Sequence, residues 1–215
     1  MEIERRFVPF TGSPEGIRIE HRDGKPPVFS GYAARFNSLS ENLGGFREML
    51  APGCFDNALT RAGLGAGGGV LALFNHSNDY VLGRSTSGTL RLGSDDQGLH
   101  FEIDPPDTQL GRDLQVLVQR GDISGASFAF TVDPKGESYH KDSDGNNVRT
   151  VSQVSGLYDV SIVSVPAYSA SSVSMRSFQA WEREHRPAVI NIGHRARLAM
   201  AAAAAARLRG YGRSH

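Results

Sequence analysis

Most apolar residues between Ile17 and Val165 fall in short runs of strand length, bounded by glycine, proline, asparagine or aspartate, and this punctuation restricts the chain to sheet-rich folds. Ile17 to Arg22 and Val28 to Phe36 flank Asp23-Gly24-Lys25, a turn signal that predicts an antiparallel pair. Val70 to Phe74 is a short apolar strand that stops at the polar cluster Asn75-His76-Ser77-Asn78. Thr89 to Leu92 and Leu99 to Ile103 read as a second pair, joined through Ser94-Asp95-Asp96-Gln97-Gly98. Ala126 to Asp133, Val148 to Val154 and Leu157 to Val165 complete the set, with Pro134 to Asn147 as a polar hairpin loop and Pro166 ending the last strand. Helices are few. Phe55, Ala58 and Leu59 share helical spacing up to Gly63, and Leu110, Leu114, Leu117 and Val118 line one face of a helix opened by Asp107-Thr108 and closed near Arg120-Gly121. The pattern predicts an α+β fold, mainly antiparallel sheet curling toward a barrel, with short flanking helices.

The chain has 215 residues, which suits one ordinary domain with an appended tail. Its 39% hydrophobic and 21% charged content excludes a disordered polyampholyte, and no apolar run reaches the ~18 residues that span a bilayer, so no membrane association is expected. The opening MEIERRFVPF carries Glu2 and Glu4 and lacks the apolar stretch of a secretory signal, so the expected compartment is a cytoplasm. The lone Cys54 excludes an internal disulfide and a cysteine-rich zinc site. The chain is balanced overall, but its charge is not evenly placed. From Arg186 onward there are six arginines and no acid, which leaves the first 185 residues at net −6. We therefore expect a body over residues 1–180 and a basic, partly disordered tail over 181–215. Leu198 to Leu208 is nearly all alanine, so the tail is expected to carry a helix that needs help to nucleate. The bland reading of this charge is a solvated tail; the sharper one is an address for an acidic partner or a nucleic acid, and nucleic acid is not an expected partner.

Three positions could do chemistry. Alternation along Gly125-Ala126-Ser127-Phe128-Ala129-Phe130 puts the phenylalanines on one face and Ser127 on the other, and the small neighbours Gly125, Ala126 and Ala129 leave room for a substrate backbone. An ordinary serine on the wet face of a sheet fits the same spacing. Ser124 is a rival, but next to a helix-to-strand turn its hydroxyl is expected to bond local backbone. A serine needs a base. Among seven histidines, His76 alone ends an apolar strand in a turn, where an imidazole is half-buried yet reaches substrate. The other six are less suited: His21 and His100 lie within strands, His140 in a loop, and His185, His194 and His215 in or beside the tail. Asp159, in a strand with branched aliphatics on both faces, must meet a cation, accept hydrogen bonds or hold an imidazole in one tautomer. The last option completes a nucleophile, base and orienter.

Three other chemistries fit less well. A metal site from His76, Asp79, His100 or Asp104 lacks helical His-to-His spacing, and no cofactor or metal is expected. The glycine-rich Gly63 to Gly69 has no lysine after it and so is not a phosphate loop. Cys54 beside Phe55 reads as a small core residue.

The same residues carry a family likeness. Gly31-Tyr32-Ala33-Ala34-Arg35-Phe36-Asn37, Phe46-Arg47-Glu48, Pro52-Gly53-Cys54-Phe55, Phe74-Asn75-His76, Leu82-Gly83-Arg84, Gly98-Leu99-His100-Phe101-Glu102, the run Arg120 to Phe130, and Tyr158-Asp159-Val160-Ser161-Ile162-Val163 resemble, in order and spacing, successive blocks of the prohead (capsid maturation) proteases of tailed phages. The resemblance runs from about Gly31 to Arg176 and implies a serine endopeptidase related in fold to herpesvirus assemblin. Such an enzyme works in the host cytoplasm inside an immature capsid, trimming a major capsid protein or scaffold segment and often itself. It also makes a homodimer an expectation. By position His76 and Ser127 match the family histidine and serine, and Asp159 an acidic position that is commonly glutamate. Ala129 stands where the family usually has glycine and Cys54 where it usually has alanine. The competing expectations are a non-catalytic head-assembly or scaffolding protein that retains the fold, for which Ala129 is the argument, and an intracellular peptidase with no capsid role.

Overall fold

A computed structural model describes residues 2–8, 17–23, 26–62, 69–164 and 172–185. Its central strand is β9 (Gly125–Val132), buried along its whole length. The alternation read from its sequence holds. Phe128 and Phe130 enter the main apolar core, where Phe55 meets Phe128 edge-on at 5.5 Å and Phe128 packs on Phe130 at 4.8 Å. Ser127, Ala129 and Thr131 face the other way. Around β9 forms a five-stranded sheet in the order β1 (Glu4–Val8), β9, β12 (Val154–Val163), β5 (Leu71–Phe74), β6 (Ser77–Arg84). The pairs are antiparallel except β12 with β5.

A four-stranded antiparallel sheet runs β2 (Arg18–Glu20), β3 (Val28–Arg35), β8 (Gly98–Ile103), β7 (Leu90–Ser94), so both sequence-predicted pairs form. A three-stranded sheet joins β10 (Glu137–Lys141), β11 (Asn147–Val151) and β4 (Arg47–Leu50), the last pair parallel. Helix α1 (Asp56–Ala62) falls where the Phe55-Ala58-Leu59 spacing places it. Helix α2 (Gln109–Arg120) has Thr108 as its N-cap, accepting from the Gly111 amide, and Gly121 at φ 80° as its C-cap, with Leu114 and Val118 buried. A third helix, α3 (Ser172–His185), has no counterpart in the sequence reading.

The fold is thus α+β and mostly strand. Among the described residues the strands divide into three sheets and form no closed barrel. Four strands escaped sequence reading. β1 and β4 are rich in charge, β6 opens on exposed residues without apolar alternation, and β10 lies inside the supposed Pro134 to Asn147 loop. The alanine-rich tail helix expected over Leu198 to Leu208 and the glycine loop from Gly63 to Gly68 lie outside the described residues. Contacts divide the chain into units Met1–Ala180 and Trp181–His215; in the second, the Trp181 ring stacks on His185 at 4.9 Å. No helix among the described residues is long and apolar enough to cross a membrane.

A buried ion network accounts for β1, β4 and β10. On β1, Arg6 grips Glu48 of β4 through two bonds of 2.7 and 2.8 Å. On β11, Arg149 grips Glu4 through two bonds of 2.8 Å and also reaches Glu48 at 2.5 Å and Glu137 of β10 at 2.6 Å. Burial alone would push the Glu4 carboxyl up; the hydrogen bond and charge of Arg149, with Arg6, overcome it and hold that carboxyl below its usual range. Charged residues are here the inward-facing ones, so a search for apolar alternation passes over these strands.

Candidate active site

Register brings the candidates together. On the face of the five-stranded sheet opposite Phe128, one row across the strands reads Phe7, Ser127, Ser161, Leu73, and the next reads Arg5, Ala129, Asp159, Leu71. Ser127 on β9 and Asp159 on β12 thus project from adjacent strands on one side.

The third group comes from the turn between β5 and β6. Phe74 pairs with Ser77, leaving Asn75 and His76 as a two-residue hairpin loop with φ 52° and 56°. Positive φ at both positions is the mark of a type I′ turn, where asparagine is favoured and histidine is strained. Asn75 anchors the turn to the end of β12. Its amide donates to the Ile162 carbonyl at 2.9 Å, and its Oδ1 accepts from the Ser164 amide at 3.0 Å. The strained turn sets the imidazole directly over the Ser127–Asp159 pair.

The distances form one chain. His76 Nδ1 is 2.7 Å from Asp159 Oδ1, and His76 Nε2 is 2.7 Å from Ser127 Oγ. The His76 and Asp159 side chains are 13% and 10% exposed, so the line is largely shielded from water but still open on one side. Ser127 Oγ is also 2.7 Å from the Arg6 carbonyl on β1. A hydroxyl has one proton. If it points to Arg6, Nε2 can approach Oγ only as a donor; if it points to Nε2, the imidazole is a base. Proton placement therefore separates a resting state from a reactive one.

Two further residues reach this line that sequence reasoning missed. Arg6 contributes only its backbone, so no side-chain pattern could reveal it. Ser161 Oγ donates to Asp159 Oδ1 at 2.7 Å and is 3.2 Å from His76 Nδ1; its signal was the two-residue strand period that places it on the same face as Asp159.

The room expected beside Ser127 is partly taken. A Cβ on Gly125 would come within 2.2 Å of the Phe7 ring, so glycine there admits Phe7 rather than a substrate backbone. Ala126 belongs to the core face. β1 and β12 occupy both ladder sides of β9, so Ser127 is approachable only from the face of the sheet.

The rival groups lie elsewhere. Ser124, His21, His140 and His185 are exposed. His100 packs edge-on to Tyr32 and over Gly93 in the four-stranded sheet, Asp104 is held by Arg91, and Asp79 is exposed on β6. Among the described residues no group of three His, Cys, Asp or Glu is placed to hold a metal. Cys54 is buried, and burial, with the Asp56 and Glu48 charges, pushes its thiol up to about 12, which makes it a poor nucleophile. His194 and His215 lie outside the described residues.

An alcohol, an imidazole and a carboxylate in one hydrogen-bonded line is the arrangement of serine hydrolases, which recurs on unrelated folds. The chain belongs to the caudovirus prohead serine protease family, whose sequence profile matches residues 16–185. It is 27% identical over 157 residues to the prohead protease of Enterobacteria phage HK97, an alignment covering 71% of this chain and 61% of that relative's length. The solved structure of the bacteriophage T4 capsid assembly protease aligns with 9% identity and a TM-score of 0.46, covering 74% of this chain and 97% of that one.

Proposed function

We propose that this chain is a serine endopeptidase that cleaves capsid or scaffold proteins during phage prohead maturation, with Ser127 as nucleophile, His76 as base and Asp159 as orienter. The observation that carries this reading is the 2.7 Å spacing on each side of the His76 imidazole. Family membership and the likeness to the HK97 prohead protease support the choice of substrate class. On this reading the enzyme acts inside the immature capsid in the host cytoplasm and also trims itself, with the basic stretch from Arg186 onward as a self-cleavage or tethering segment. A homodimer, an assemblin-like curl of the sheets and a body ending near residue 180 belong to the same proposal.

The geometry supports the following chemistry. His76 Nδ1–H donates to Asp159, which leaves Nε2 with a free lone pair. As Oγ attacks a peptide carbonyl carbon, its proton passes to Nε2, and the Asp159 charge stabilises the imidazolium that forms. Nε2–H then protonates the departing amine as the C–N bond breaks, leaving an acyl group on Oγ. Nε2 then takes a proton from water as it attacks the acyl carbon and gives that proton to Oγ as the acyl–Oγ bond breaks, which releases the acid and restores the serine. Ser127→Ala is expected to abolish cleavage of a co-expressed capsid or scaffold protein, and progressive self-truncation followed by intact mass, while the domain stays folded. Unchanged processing by that variant refutes the nucleophile assignment.

A further inference from the structure

Asp159 Oδ1 receives two donors, and only one is His76. With Nδ1 carrying the proton that binds Asp159, Nδ1 offers no lone pair, so the Ser161 hydroxyl directs its own proton to Oδ1 at 2.7 Å. Ser161 is wholly buried and is the ladder partner of Ser127 across β9 and β12, so its backbone is fixed by the same pairing that fixes the nucleophile. A carboxylate rotates about its Cβ–Cγ bond unless its oxygens are held, and each rotation would draw Oδ1 out of line with Nδ1.

We propose that Ser161 is a positioning residue of this active site, its hydroxyl locking Asp159 Oδ1 in the orientation that accepts from His76 Nδ1. The inference rests on the peptidase reading for its kinetic consequence but not for its geometric one. Ser161 acts through Asp159 and touches no substrate. It also shares the charge on Oδ1, which keeps the bridging proton on the imidazole as the imidazolium forms.

Ser161→Ala is expected to lower kcat by about tenfold to a hundredfold with KM within about twofold, the size of loss that follows a small misalignment of reacting groups. In an Asp159→Asn background the same change should cost less than about twofold, because the bond it removes is already disabled. Ser161→Thr keeps the hydroxyl and is expected to recover most of the rate; Ser161→Cys fills the site with a weak donor and should behave as alanine does, which keeps the test alive if the alanine variant folds poorly. A readout independent of turnover is the low-field proton resonance of His76 Nδ1–H, expected to move or broaden in Ser161→Ala. Wild-type kcat with an unmoved resonance overturns the proposal, and so does a full additive loss in the Asp159→Asn background. If Ser127→Ala still cleaves, the peptidase reading fails, and the resonance alone decides the role of Ser161.

Discussion

At the scale of single residues, the proposed chemistry depends on which group holds which proton. Asp159→Asn preserves the shape of the site but donates where the carboxylate accepts, so it favours the wrong His76 tautomer; kcat is expected to fall by about a thousandfold or more while the melting temperature shows a folded domain. Cys54 gives a contrasting expectation, since its thiol is pushed up to about 12 from an ordinary 9.0 by burial and the nearby Asp56 and Glu48 charges. A raised folded-state value means the folded chain holds the proton more tightly. Its contribution to stability is therefore complete below about pH 9 and is lost as pH rises toward about 12. Ellman's reagent at pH 8 should find no reactive thiol until the protein is unfolded.

At the scale of elements, the hairpin turn between β5 and β6 is the most demanding piece of backbone. Asn75 and His76 both hold positive φ, which costs an ordinary L-residue about 1–2 kcal/mol, and Asn75 returns part of that through its bonds to Ser164. Asn75→Ala should therefore lower both the unfolding free energy, by about 1–2 kcal/mol, and kcat, whereas Asn75→Gly, which tolerates the turn, should keep more of the stability. Paired denaturant titrations separate the two. The same turn shows how far the sequence could be read. The apolar run ending at Phe74 and the polar Asn75-His76 were visible as a strand reaching a turn, because apolar periodicity and turn chemistry are local signals. That β6 continues at once from Ser77 was not visible, because its first residues are exposed and follow no apolar alternation. Strands β8, β9 and β12 and helix α2 were legible for the same local reasons, the helix through its caps and apolar face. Ser161 was signalled only by the two-residue period that puts it on the Asp159 face, which does not by itself single it out, and the Arg6 carbonyl by no side-chain pattern, since it belongs to the backbone of a charged strand.

At the scale of the whole molecule, the buried network of Glu4, Arg6, Glu48, Glu137 and Arg149 ties β1 to the three-stranded sheet, and β1 in turn lies against Ser127. Removing one member strands buried charge. Arg149→Ala is expected to destabilise the fold by about 3–5 kcal/mol, read from the shift in urea midpoint. Because the Glu4 carboxyl is held below its usual 4.5, its contribution is present above that pH and is lost as pH falls through the lowered value. The urea midpoint should be level near neutrality and drop below about pH 4.5. These contacts brace the sheet face that carries Ser127, and the proposed nucleophile is its Oγ atom. A fluorophosphonate probe, applied to the purified protein and mapped by peptide mass spectrometry, tests that assignment most directly. A covalent adduct on Ser127 is expected in the wild type and is expected to disappear in His76→Ala; an adduct on another serine, or peptide cleavage that persists with Ser127 replaced, would contradict the Ser127 assignment.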